Sequence, residues 1–329
     1  MPKHKKKHAA PPKPKSFLER IPLWVAYFPL VLAAAAIAIV LLYKQELRAA
    51  LRRAALAPPP APEVLPPEPE APRIAIVIDD LGYTLPPIER LLAIRAPLTF
   101  AVMPGRPYST QAAALVVREG RELILHQPME PLPHRSNGNG YGGEPASEVP
   151  DPGPGAVFLS MSEEEITRQV AANLEAFPAV VGMNNHMGSA FTRDAGQMRA
   201  ALVPLLSRGL YFLDSKTAPD SVAQDTARQA GLRAIGRDVF LDHEINEEFI
   251  SRQFAELVRI AKIRGSAIAI GHPHPETVSV LEREIPKLAA DGIRLVPAGV
   301  FAREASLEDG GVEQGVIKNG EPEVSRTLP

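Results

Sequence analysis

From Arg73 onward, short aliphatic runs alternate with longer amphipathic stretches, the pattern of parallel strands covered by helices. The apolar runs predict strands at 73–79, 98–102, 121–126, 180–184, 210–214, 233–235, 266–271 and 293–296. Helical periodicity predicts helices at 86–94, 107–119, 162–177, 194–208, 219–230, 245–264 and 275–290. In "SMSEEEI", Ser160 or Ser162 is a helix cap with Glu163 or Glu165 three residues on. About seven βα units result, and they either close into a barrel or stay an open doubly wound sheet. No phosphate loop and no Gly-x-Gly-x-x-Gly follows the first strand, which weakens a dinucleotide site. The glycine-rich insertion from Gln127 to Gly155 is too long for an ordinary connection and reads as a surface lid or as a disordered insertion.

The first 72 residues follow a different pattern. Seven Lys/Arg and one Glu occupy residues 1–20, and Ile21–Tyr43 then carries no charge. As a helix this segment is about 34 Å long, enough for a hydrocarbon core of about 30 Å. Trp24, Tyr27 and Tyr43 suit its interfaces. The run exceeds the h-region of a signal peptide and lacks a convincing Ala-x-Ala site, so a retained anchor is expected over a cleaved leader. Basic residues weighted toward the N-terminal side place that end in the cytoplasm and the bulk of the chain in the periplasm, as a single-pass inner-membrane protein. The expected organisation is a basic tail at 1–20, an anchor at 21–43 and a helical stalk with a Pro-rich spacer at 44–72. A folded domain at 73–300 and a flexible tail at 301–329 complete it.

Composition narrows the chemistry. With no cysteine among 329 residues, disulfides and thiolate metal sites are excluded, and any metal falls to His, Asp, Glu, Asn or water. Residues 1–71 hold eleven Lys/Arg against five Asp/Glu, while the remainder holds 25 against 33. That acidic balance argues against nucleic acid as a partner.

Candidate chemistry gathers where strands end. "RIAIVIDDLGY" sets Asp79 and Asp80 directly after an apolar run. His126 in "ELILHQPMEP", His186 in "VVGMNNHMGSAF" and His272 with His274 in "AIAIGHPHPET" take similar positions. In a parallel α/β fold the C-terminal strand ends share one mouth, where ligands bind. Two imidazoles and a carboxylate form a three-ligand set for a catalytic zinc or similar divalent ion, and Asp80, His126 and His186 are the preferred set. Bland readings stand beside these. Asp79-Asp80 suits an Asx turn, His126 a satisfied histidine beside a turn, and Asn184-Asn185-His186 a polar loop cap. Asp214 either orients a histidine or caps its own loop, Asp242 positions His272 or meets His243, and Ser189 contacts substrate or begins a turn. Asn185 and His274 are further accessory candidates, and Arg106 either meets an anionic polymer or is solvated at a helix start. No Gly-x-Ser-x-Gly nucleophile elbow occurs.

The segments "IAIVIDDLGY", "LTFAVMPG", "ELILHQPMEP", "GMNNHMGSAFT", "FLDSKT", "RDVFLDH" and "AIAIGHPHPET" closely resemble the divergent polysaccharide deacetylase family, the YibQ-like branch related to the NodB carbohydrate esterases. The resemblance spans about Arg73 to Gly299. It implies an α/β fold, a NodB-like distorted or incomplete (β/α) barrel. It also implies an Asp-His-His metal site with Asp80, His126 and His186 as ligands, Asp79 as base and His272 as acid. One departure matters. The wider family places its ligand histidines four residues apart, whereas Glu130 stands four residues after His126, so Glu130 is an alternative or added ligand. The implied activity is metal-dependent removal of N-acetyl groups from an envelope polysaccharide or a peptidoglycan-derived glycan. The alternative is a catalytically weak or inactive glycan-binding protein of envelope assembly, which uses the same pocket and partners an envelope-remodelling protein.

Overall fold

The computed structural model describes residues 22–56, 71–133 and 149–309. They fall into two units, one built on the first helix and one from Pro69 onward. The expected basic tail, the expected Pro-rich spacer of 58–72 up to residue 70, His134 and residues 310–329 lie outside the described residues.

Among the described residues the first unit is one helix, α1 (Leu23–Leu56), which continues past Tyr43 into the expected stalk because "QELRAALRRAAL" is rich in strong helix formers. Trp24, Phe28, Leu32, Ile39 and Leu42 are all exposed on it. Residues Tyr27–Arg52 are long and apolar enough to cross a membrane, a property that signal sequences share.

Among the described residues the second unit is built on nine strands. These are β1 (Arg73–Leu81), β2 (Thr99–Val102), β3 (Glu122–Met129), β4 (Gly182–Met187), β5 (Tyr211–Asp214), β6 (Ala234–Gly236), β7 (Val239–Phe240), β8 (Ser266–Gly271) and β9 (Arg294–Leu295). Every pairing is parallel and the order is β6-β5-β4-β3-β2-β1-β8-β7, with β9 beside the start of β1. Helices α2 (Pro86–Ala93), α3 (Ser109–Arg118), α4 (Glu163–Glu175), α5 (Ala195–Arg208), α6 (Ala223–Gln229), α7 (Glu247–Arg264) and α8 (Pro275–Glu284) fill the connections. Of the two proposed caps at "SMSEEEI", Ser162 is the one used, in a capping box with Glu165. Asp194 caps α5 and Asn246 caps α7.

Side-chain alternation divides the sheet into two apolar faces. Ile74, Ile76, Ile78, Phe100, Leu123, Leu125 and Phe212 pack outward under the helices. Ala75, Val77, Ala101, Ile124, Leu213, Ile235, Ile268 and Ile270 form the inner face. Because both faces are covered, β1 reads as an unbroken aliphatic run. Each fully buried isoleucine contributes about 1.5–3 kcal/mol.

The sheet curls into a distorted, incomplete barrel. The seam lies between β6 and β7, which are joined by only Arg237 and Asp238 and do not pair with each other. This stretch acts as one bent strand whose first half pairs with β5 and whose second half pairs with β8. Arg237 N donates to Asp214 O at 3.1 Å and Asp238 N to Ile268 O at 2.8 Å, which marks the change of partner. A two-residue strand is too short to show as a period-2 pattern, so β7 is absent from the sequence expectation.

The expected flexible tail from 301 is corrected at its start. A last helix, α9 (Ala298–Asp309), continues the domain, with Phe301 and Ala302 buried in the inner cluster. Its first turn is held from the opposite strand ends, where Ala298 N donates to Thr99 Oγ1 and Gly299 N to Glu122 Oε1, both at 2.9 Å. The helix thus closes the end of the barrel remote from the C-terminal strand ends. The feet of the glycine-rich insertion are joined, since Glu130 N donates to Val157 O and Val157 N to Pro128 O. Residues 134–148 between them lie outside the described residues.

Candidate metal and hydrolytic site

The inner-face alternation continues past the apolar layer and becomes polar at one end of the barrel. Ala75 and Val77 lead to Asp79, Ile124 to His126, Gly182 to Asn184 and His186, Leu213 to Ser215, and Ile268 and Ile270 to His272. Every one of these polar residues therefore points into the same mouth. On β4 the parity also sorts "NNH". The register pairs His126 with Asn184, while Asn185 pairs with Gln127 on the other face.

Asp80 is the exception, since regular alternation would send it away from Asp79. Between Ile78 and Leu81 the β1–β2 register gains one residue, a β-bulge, and Asp80 adopts φ 60°. That left-handed conformation costs an L-residue about 1–2 kcal/mol, and here it turns a second adjacent carboxylate into the mouth. The paired aspartates at the edge of the core are thus delivered by a local break in the strand.

Three ligand-type atoms meet there. Asp80 Oδ1 lies 3.2 Å from His126 Nε2 and 3.0 Å from His186 Nδ1, and the two nitrogens are 3.1 Å apart. Asp80 Oδ1 is nonetheless buried with no hydrogen-bond partner. Donors arranged around one small divalent ion stand between about 2.9 and 3.4 Å apart, for octahedral to tetrahedral geometry. The triangle and its orphaned oxygen therefore fit a shared cation. Asp80, His126 and His186 are accordingly a candidate metal-binding group.

Supporting contacts fix the ligands. His126 Nδ1 is 2.8 Å from Asn184 Oδ1, an acceptor, so that nitrogen carries the proton and Nε2 presents its lone pair. The amide of Asn184 donates to Asp79 Oδ1 at 2.8 Å and to Ser215 Oγ at 3.2 Å. Burial opposes charge on Asp80, yet the adjacent imidazoles outweigh it and hold the carboxyl far below the usual range. Burial lowers the pKa of His186, and it raises that of Asp79 against the opposing pull of His126 and His272.

His272 approaches from β8, with Nε2 4.0 Å from Asp80 Oδ2. Its Nδ1 donates to Asp242 Oδ1 at 2.9 Å, and the same carboxylate accepts from His272 N and from Thr277 Oγ1. Burial disfavours charge on His272, but the bond to Asp242 and its negative charge prevail and push the pKa up to about 9. Asp242, His272 and His274 also lie close enough to form a ligand group. The oxygens of Asp242 are already engaged by three donors, which makes the trio a charged dyad with His274 beside it. Phe240 packs edge-on against the His272 ring at 5.3 Å.

Several expected accessory residues lie elsewhere. Glu130 does not join the ligand triangle, because its Oε2 accepts from Leu159 N. Asp214 orients no histidine and caps its own loop, accepting from Lys216 N and Ser221 Oγ. Asn185 ties β4 to the loop after β5, accepting from Ser215 N and donating to Thr217 Oγ1, and it also donates to Met187 O within β4. Ser189 Oγ accepts from Leu132 N at the foot of the insertion. Asp242 does reach His272, and His243 is exposed. Asn184 is the residue that the sequence reading passed over as a loop cap. Its signal was a polar residue two positions before His186, on the parity that turns inward.

Comparisons with known proteins give the family. Residues 76–301 match the family described as divergent polysaccharide deacetylase. An uncharacterized Haemophilus influenzae protein is 35% identical over 235 residues, 71% of this chain and 78% of that protein. The uncharacterized protein YibQ of Escherichia coli K12 is 35% identical over 236 residues, 72% of this chain and 69% of its own length. A crystal structure of an uncharacterized protein from Agrobacterium tumefaciens C58 shares the fold, with a TM-score of 0.61 at 21% identity, over 70% of this chain and 89% of that one. The barrel, the order of its motifs and these likenesses together make the chain a member of the divergent polysaccharide deacetylase family.

Proposed function

We propose that this chain is a metal-dependent hydrolase that removes N-acetyl groups from an envelope glycan. The observation that carries the reading is the triangle of Asp80 Oδ1, His126 Nε2 and His186 Nδ1, of which the buried Asp80 Oδ1 has no hydrogen-bond partner. These residues would hold a divalent ion, with zinc suited to two imidazoles and one carboxylate. When bound, such an ion supplies Lewis-acid polarisation of a carbonyl and lowers the pKa of a water.

The chain's own residues divide the proton work. Asp79 Oδ1 is occupied by Asn184, which leaves Oδ2, 3.6 Å from His126 Nε2, to take a proton from the attacking water. Burial raises the proton affinity of Asp79, as suits a base. His272, held charged by Asp242, carries the proton that the departing sugar amine needs. Hydrolysis of the acetamide then yields acetate and an amino sugar.

In this reading α1 anchors the chain in the inner membrane with its N-terminus in the cytoplasm, and the barrel works on the periplasmic side beside envelope-remodelling proteins. The exposed apolar surface of α1 and the basic residues that precede it support the assignment. The test is acetate release from N-acetylated peptidoglycan fragments by the full chain in detergent, with zinc present. Release that stops on chelation and in His186→Ala supports the hydrolase. Zinc-loaded protein that binds glycan and releases no acetate from any fragment assigns a binding role instead.

A further inference from the structure

The hydrolytic site leaves Arg106, in "VMPGRPYS", without a part. Its two expected roles, solvation at a helix start or contact with an anionic polymer, both give way to what it touches. The guanidinium carbon lies 4.5 Å from the centre of the Tyr83 ring, and Nη2 donates to Pro152 O at 3.4 Å. Nε is buried with no hydrogen-bond partner, and no carboxylate pairs with the side chain among the described residues.

Three loops meet around this arginine, all at C-terminal strand ends. They are residues 81–83 after β1, 103–108 after β2, and 151–155 at the second foot of the insertion. Tyr108 N donates to Gly82 O at 2.8 Å, which ties the first loop to the second. Glycines stand where the loops approach most closely. A Cβ on Gly105 would lie 2.6 Å from Pro154 Cβ, and one on Gly153 would overlap the Arg106 guanidinium.

The result is a fixed ring at the mouth. Arg106 covers one face of Tyr83, yet the residue is 46% exposed. Tyr83 stands three residues after Asp80 and within its electrostatic reach, since burial raises the phenol pKa, Arg106 opposes the rise and the charge of Asp80 adds to it. An exposed tyrosine is ordinary by itself. This one is backed by a guanidinium that leaves a buried N–H unpaired, a costly arrangement, and a ring held in advance lowers the ordering cost of binding.

We propose that Tyr83 is the platform on which a pyranose ring of the glycan stacks, with Arg106 as the positioning residue behind it. A β-linked N-acetylglucosamine unit carries its ring substituents equatorially. Its faces are therefore apolar C–H surfaces and its rim is polar, the complement of an aromatic face set beside a polar mouth. The inference rests on the deacetylase reading, which makes the ligand a glycan.

The experiment uses the full chain in detergent and two probes, tetra-N-acetylchitotetraose and a tetrasaccharide of N-acetylglucosamine and N-acetylmuramic acid. Calorimetric binding is measured with the metal chelated, and acetate release with zinc present. At least one probe is expected to bind, and Tyr83→Ala should weaken it about three- to tenfold, the scale of one ring contact. KM should rise by the same factor with little change in kcat, while Tyr83→Phe and Tyr83→Trp retain the affinity. Arg106→Ala should weaken binding in the unaltered chain and add nothing in the Tyr83→Ala background, because its effect passes through the ring. Additive losses would remove its positioning role. Should Tyr83→Ala fail to fold, Tyr83→Trp decides, since the probe should shift its indole emission beyond any change that Trp24 gives in the unaltered chain. Affinity unchanged in Tyr83→Ala, no binding of either probe, or indole emission that ignores the bound probe overturns the platform. Binding that depends on Tyr83 with no acetate released upholds the platform and removes the hydrolase. Acetate release with KM unchanged in Tyr83→Ala does the reverse.

Discussion

His126 Nδ1 donates to Asn184 Oδ1 at 2.8 Å, and the other end of that amide donates to Asp79. One asparagine thereby sets the tautomer of a proposed metal ligand and the orientation of the proposed base. Both ends of its amide are used, and the order of its oxygen and nitrogen is fixed by what each faces. Asn184→Ala would leave the His126 N–H buried and unpaired and free the ring to turn. Zinc affinity, measured by competition with a chromophoric chelator, should fall 10- to 100-fold, about the loss typical of such supporting contacts. Unchanged affinity would mean that the hydrogen bond is incidental.

Asp79→Asn keeps the shape of the side chain and removes its ability to accept a proton. Acetate release should drop by about 10²- to 10⁴-fold, the range of general-base contributions, while zinc content is retained. Metal analysis alongside the rate measurement separates the two functions assigned to the adjacent aspartates. Loss of zinc in this variant would mean that Asp79 is a ligand as well.

The Asp242–His272 pair makes a pH prediction for the metal-free protein. The pKa of His272 is raised to about 9, so its charge stabilises the fold fully below the ordinary imidazole value near 6.5 and is lost as pH rises through about 9. Asp242 is lowered, since the bond to His272 outweighs burial, and its contribution is lost only as pH falls through that depressed value. An NMR titration of the His272 ring should show a midpoint near 9 that drops toward 6.5 in Asp242→Asn. A midpoint already near 6.5 in the unaltered protein would remove the basis for His272 as an acid at neutral pH.

Gly82 follows the bulged aspartates at φ 124°, and a Cβ there would lie 2.6 Å from Ser109 Oγ and 3.0 Å from Arg106 Cβ. Gly82→Ala should destabilise the domain by about 1–3 kcal/mol and displace the Asp79–Asp80 turn with it. Denaturant unfolding gives the first quantity and zinc affinity reports the second.

Phe301 is buried at the closed end of the barrel, and Phe301→Ala should cost about 3–5 kcal/mol. Truncation after Pro297 should do more, because Thr99, Glu122 and the inner cluster lose their cover together. Thermal melts of the two variants test whether the domain needs α9.

The hydrophobic pattern by itself determined most of the scaffold. Two-sided burial makes the strands continuous aliphatic runs, and amphipathic helices with capping residues fall between them, so period and punctuation were enough to locate seven of the βα units. It also put Asp79, Asp80, His126, His186 and His272 at strand ends, since a parallel sheet gathers those ends on one side. Other features required the tertiary structure. β7 is two residues long and exists only because the bent segment after β6 changes partner from β5 to β8. Helix α9 is held by Thr99 and Glu122, residues far away in the chain. Asp80 faces its imidazole neighbours through a bulge that register against β2 creates, and period-2 alternation from the sequence sends it the other way. Glu130 shares the parity of His126 but lies just past the end of β3, where its Oε2 accepts from Leu159 N. That contact comes from a segment beyond the insertion, and no pattern local to β3 announces it. Asn184 stands beside His126 because β4 pairs with β3 in that register, and register is a property of two segments at once.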